Sequence, residues 1–202
     1  MQKTVIIIAG LVLMLIFIVA VISSVWPTQE ERFIELGLLG KDKTANAYFS
    51  NENSYINVGT LSSWFIYLHN HLGYAQNVSV RVKLLNSIME LPDDQENKPS
   101  NLTSFVAFPL SLSLNQSVLV PFSWSILNAD EHNGSVVIDQ LLVNNQPVNI
   151  DALISMNHSF IMVFELWVQD NSSEEYVFGW ESEKGLSSAS VNMWFNVVFP
   201  SN

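Results

Sequence analysis

From Val5 to Trp26 the chain reads VIIIAGLVLMLIFIVAVISSVW, an apolar run with no charge and with Ser23 and Ser24 as its polar members. Twenty-two residues at about 1.5 Å each span roughly 33 Å, enough to cross a hydrocarbon core of about 30 Å as one helix. Lys3 precedes the run and Glu30 and Glu31 follow it. That asymmetry predicts residues 1–4 on the cytoplasmic side, a signal anchor over 5–26, and residues 27–202 outside. The competing reading is a cleavable signal peptide, whose apolar centre is shorter and ends in a small-x-small site. Here the run ends in Val25, Trp26 and Pro27, and a tryptophan suits a membrane interface. Retention is therefore the expectation, and both readings carry the larger part across the membrane.

That larger part is of single-domain size. It must cohere without disulfides, because the chain holds no cysteine. Thiolate catalysis and cysteine-bound metals are excluded with it. Nineteen acids face seven bases once Lys3 is set aside, a charge near −12. Phosphate backbones demand basic patches, so no nucleic-acid partner is expected. The acidic exterior reads as a solvated surface that resists aggregation.

Beyond the anchor, hydrophobicity alternates with a period of two. Residues 33–39 read as a strand closed by Gly40-Lys41-Asp42. In 58–70 Trp64, Ile66 and Leu68 share a face, and Asn70-His71-Leu72-Gly73 reads as a hairpin turn. Next, Val78, Val80, Val82 and Leu84 point inward while Ser79, Arg81 and Lys83 point to water. The segment 90–101 lacks apolar content and reads as a mobile loop. Strands are expected again at 104–114, 117–127, 135–143 and 147–154. Pro121 places the 117–127 strand at an edge or a bulge. SFIMVFELWV (159–168) is apolar on both faces, as in a central strand, and 190–199 is the last strand. Eight or nine short strands without a long amphipathic helix predict a mainly β fold, an antiparallel immunoglobulin-like β-sandwich. A small barrel is the alternative.

The pieces ERFIELGLLG (31–40), VGTLSSWFIYLHNHLGYAQNVSVRVKLL (58–85), VPFSWSI (120–126), FIMVFELWVQDNSSEEYVFGW (160–180) and VNMWFNVVF (191–199) together resemble the extracytoplasmic domain of an archaeal membrane-protein family of unknown function. The resemblance implies a membrane-tethered external β-domain and brings no activity with it.

Six Asn-x-Ser/Thr sequons, at Asn77, Asn101, Asn115, Asn133, Asn157 and Asn171, fall in expected turns or strand ends, where a glycan acceptor must be reachable. Turns are rich in Asn and Ser in any case. His69 and His71, two apart on a strand, leave the same face and could hold zinc or copper if a neighbouring strand supplies a third ligand. His132 and His158 are further candidates; an ordinary strand-end pair is the plainer account. Calcium could take oxygens from Asp93, Asp94 and Glu96, or from Asp170, Asn171, Ser172, Glu174 and Glu175, although neither loop has EF-hand spacing. Solvated turn residues explain both loops equally.

Catalytic signatures are lacking: no G-x-S-x-G elbow, no H-E-x-x-H, no phosphate-binding glycine loop. The expectation is a non-enzymatic protein without cofactor. Trp64 and Trp124 are expected in the core, whereas Trp167 and Trp194 would form a partner surface if left uncovered. Membrane, surface-layer or other envelope proteins are the expected partners of such an accessory or structural subunit. The alternative is an external ligand- or metal-binding module centred on His69 and His71.

Overall fold

The computed structural model describes residues 14–17, 31–49, 53–170, 172–182 and 185–199. Two compact units divide the chain, Met1–Glu31 and Arg32–Asn202. In the first, residues 14–17 are helical. Among the described residues no helix is long and apolar enough to cross a membrane, and most of the expected 5–26 span lies outside them.

The second unit is built of β1 (Ile34–Leu39), β2 (Tyr55–Asn57), β3 (Ser62–Asn70), β4 (Gln76–Asn86), β5 (Val106–Leu112), β6 (Ser117–His132), β7 (Ser135–Val143), β8 (Gln146–Ser155), β9 (Ser159–Gln169), β10 (Tyr176–Phe178), β11 (Trp180–Ser182), β12 (Gly185–Ser187) and β13 (Ser190–Val198). One sheet runs β1-β3-β6-β7-β8 and the other β2-β13-β9-β4-β5, with β10 beside β9 and a small β11-β12 ribbon. Apart from the parallel β2–β13 pair, strand pairing is antiparallel. Strands β1, β3 and β6 in one sheet against β4, β9 and β13 in the other reproduce the A-B-E against C-F-G partition of immunoglobulin-like sandwiches.

The core follows from the alternation. Trp64, Ile66 and Leu68 of β3, with Phe122, Trp124 and Ile126 of β6, meet Val78, Val80 and Val82 of β4 and Phe160, Phe164 and Leu166 of β9, all buried. Ring contacts join the layers: Trp64 and Phe164 lie 6.2 Å apart, Phe122 and Phe164 5.2 Å, and Trp124 and Phe195 5.0 Å. Such aromatic pairs add to the burial term itself. The 159–168 segment is central, as its two-sided apolarity predicts, lying between β13 and β4.

Three expectations change. Asn70–Gly73 is not a hairpin turn, because β3 and β4 belong to different sheets. Leu72 is buried, so the chain dives across the sandwich there. The buried Asn70 amide holds that crossover, donating to the carbonyls of Tyr74 (2.7 Å) and Ser113 (3.1 Å) and accepting from the Leu72 amide (2.9 Å). Pro121 lies in β6, an interior strand rather than an edge, and the register shifts of β6 fall beyond it, at Ile126–Ala129. Pairing with β7 begins only at Trp124, so β3 is the strand partner of the Pro121 stretch. Its missing N–H is harmless there.

The third change concerns the outer face of β4. Lys83 is buried rather than solvated, because residues 87–105 fold back over the sheet and Ser100 meets its ammonium; Ser79, opposite Trp167, is buried as well. Met89 and Leu102 pack on a second apolar cluster of Leu85, Ile161 and Val163. The segment expected to be mobile is tied at several points. Asp93 and Lys98 bridge to each other, and the Asp94 carboxylate accepts from the Ser190 amide (3.1 Å) and hydroxyl (3.0 Å).

Candidate functional site

Antiparallel pairing sets Glu35 of β1 directly opposite His69 of β3, and His71 extends the same face. The pairing continues one step past the strand, where the His71 amide donates to the Phe33 carbonyl (2.9 Å). One potential ligand atom from each of Glu35, His69 and His71 lies within 4.8 Å of the others. His71 Nε2 stands 3.9 Å from Glu35 Oε2, with the side chains 32% and 49% exposed. The two imidazole rings are 3.8 Å apart between centroids. Phe33 stacks on His71 at 4.4 Å, and the Tyr67 hydroxyl lies 3.4 Å from His69 Nδ1. The neighbouring strand thus supplies a third group beside the histidine pair. Sequence reading missed Glu35, because only the β1–β3 register reveals it. His158 does not join the cluster; its Nε2 faces Glu131 Oε1 at 3.7 Å. His132, which pairs in register with Ser135, is likewise outside the three-residue group.

On the opposite outer face lies a closed charge network. Lys83 Nζ meets Glu165 Oε2 at 2.7 Å, with side chains 4% and 0% exposed. Ser100 completes it: its carbonyl accepts from Lys83 (2.8 Å), while its amide and hydroxyl both donate to Glu165 Oε1 (2.8 Å each). The Trp167 indole donates to Glu165 Oε2 (3.0 Å), and Arg81 lies over the Trp167 ring at 3.7 Å. Every charge there has its partners, as burial requires. Trp167 is therefore occupied within the fold.

The acidic loops are engaged as turns. Asp93 Oδ1 accepts from the amides of Gln95 (2.9 Å) and Glu96 (3.1 Å). Asp170 Oδ1 accepts from the amide and hydroxyl of Ser172 and of Ser173. Those bonds, the Ser172 hydroxyl first, hold the Asp170 carboxyl at about 2, below its ordinary 3.8. Asn77, Asn101, Asn115, Asn133 and Asn157 are all exposed, while Asn171 lies outside the described residues. Asn115 and Asn133 take the left-handed turn conformation, at φ 54° and 53°. Asn77 Nδ2 donates to Gln169 Oε1 (2.8 Å).

One end of the sandwich carries large exposed apolar groups: Ile88 (87%), Met156 (85%), Ile154 (54%), Tyr55 (53%) and Trp194 (44%). Hydrogen bonds gather them. Asn86 donates to the Ile154 carbonyl (2.8 Å) and Ser87 to Asn157 Oδ1 (3.0 Å). Register does the rest, aligning Trp194 with Ile161, Ile161 with Leu85, and Tyr55 with Asn196. Trp64 and Trp124 are core residues, whereas Trp194 is open to solvent.

No protein-family model matches the chain, and no curated protein matches it. Among solved structures it is similar to the crystal structure of the CARDB domain of the PF1109 protein from Pyrococcus furiosus, in complex with di-metal ions. That match has 11% identity and a TM-score of 0.38, covering 84% of this chain and 90% of that one. The solution structure of the same domain matches at 13% identity and 0.38, covering 83% and 97%. The part of the sequence resemblance that the structure bears out is the β-sandwich itself.

Proposed function

We propose that this chain is a non-enzymatic, single-pass membrane protein of an archaeal envelope. Residues 5–26 anchor it, residues 1–4 lie in the cytoplasm, and the external sandwich works by contact, as an accessory or structural subunit of a membrane or surface complex. The apolar end formed by Ile88, Ile154, Met156, Tyr55 and Trp194 supports this reading. Large uncovered apolar groups gathered at one place are the usual mark of a partner surface. Exposed sequons at Asn77, Asn101, Asn115 and Asn133 suit a glycosylated exterior. Asn157 stands beside the apolar end, so this reading has it bare.

Gentle detergent extraction and identification of co-purifying chains tests the reading. A stoichiometric partner is expected with the native chain and is lost in the I88E/M156E/W194E variant, whose substitutions touch exposed positions only. A chain that migrates alone, with or without those substitutions, sinks it. Protease applied to intact cells should cut the C-terminal part; cleavage only after lysis reverses the orientation.

A further inference from the structure

We propose that Glu35, His69 and His71 bind one divalent ion of the zinc or copper(II) class, leaving a coordination position open to solvent. The site stands independently of the apolar contact surface. Its donor set, two imidazoles and a carboxylate, suits borderline ions better than calcium or magnesium, which prefer oxygen alone. Its spacing fits as well. Ligands about 2.0–2.1 Å from a tetrahedral ion stand roughly 3.3 Å from one another. His71 Nε2 and Glu35 Oε2 are 3.9 Å apart and all three ligand atoms lie within 4.8 Å of one another, so closing on an ion takes an approach of at most about 1.5 Å. The Glu35 side chain, 49% exposed, can make the approach by its own rotation, and the strands stay where they are.

The surroundings orient the ligands. A hydrogen on His69 Nδ1 can donate to the Tyr67 oxygen 3.4 Å away, leaving Nε2 free as a ligand. Phe33, stacked on His71 at an interplanar angle of 22°, limits that ring's rotation. The two imidazole rings, with centroids 3.8 Å apart, bring their nitrogens to one place. Glu35 offsets the charge of a cation shared between them. At the far end of β6, His158 and Glu131 form a pair with no third ligand among the described residues, and no ion is assigned to them.

The test uses the full chain in detergent, stripped by a chelator and titrated separately with zinc(II) and copper(II). One ion per chain is expected. Loss of a single outer-shell partner of a metal ligand already costs about 10–100-fold. The double substitution H69A/H71A should therefore weaken binding by more than about 100-fold. E35Q should weaken it less, and H158A should leave it unchanged. Copper(II) bound to the native chain should show electron-spin coupling to two imidazole nitrogens, a readout that survives even if a variant folds poorly. Equal affinity in native and H69A/H71A chains overturns the site, as does a copper spectrum without coupled nitrogen.

Discussion

The outer faces of the two sheets carry charged clusters of opposite character. On β4 and β9, Lys83 and Glu165 lie beneath residues 87–105, every polar atom of the pair matched by Ser100, Trp167 or each other. On β1 and β3, Glu35, His69 and His71 stand partly exposed among the described residues, with their ligand atoms within 4.8 Å of one another. Both clusters occupy outward positions of alternating strands. The difference is the cover. A charge network under a lid is closed by protein donors and becomes part of the fold, whereas an uncovered one remains available to something from outside.

Substitutions can break that contrast at its strongest point first. Glu165→Ala leaves the Lys83 ammonium buried without its counter-charge. A loss of about 3–5 kcal/mol is expected in denaturant unfolding. Replacing both partners together, as K83M/E165L, should cost far less or even stabilise; a double variant as weak as the single would refute the lid account. Ser100→Ala removes only the hydroxyl donor to Glu165 and should cost about 1–2 kcal/mol. If it costs nothing, the segment is not held by this bond.

On the open face the expected effects are small, which sharpens the comparison. H69A/H71A in the metal-free chain should shift stability by no more than about 0.5 kcal/mol, as partly exposed positions do. A large loss there would mean that the cluster holds the fold together. Smallest is the Asp170 turn. Its carboxyl lies at about 2 in the fold against 3.8. Its contribution is therefore complete above about pH 4 and disappears as the pH falls toward 2. In acid titration read by near-ultraviolet circular dichroism, the stability difference between the native chain and D170N should be full above about pH 4 and close as the pH falls toward 2.

Parts of this were legible in the residues. Val78, Val80, Val82 and Leu84 announce a buried face by alternation alone, and 159–168 announces a central strand by lacking any polar face. Pro121 marked a place without a strand partner for its nitrogen. The histidine pair was visible at a two-residue spacing. Other features were not. Asn70-His71-Leu72-Gly73 has turn composition, yet Leu72 is drawn into the core and the connection crosses between sheets. Arg81 and Lys83 read as solvent-facing because alternation says which side of a sheet a residue takes and nothing about what lies over that side.

The sequence by itself determined the strand periods, the faces turned inward, the acidic and cysteine-free exterior and the long apolar run near the start. Those properties live in neighbouring residues, and backbone geometry translates them directly. Tertiary structure alone decided that Glu35 faces His69, that Ser100 reaches Glu165, and that Ile88, Met156 and Trp194 share one end. Such meetings depend on strand register and sheet order, which are set by the packing of the whole sandwich rather than by any local run.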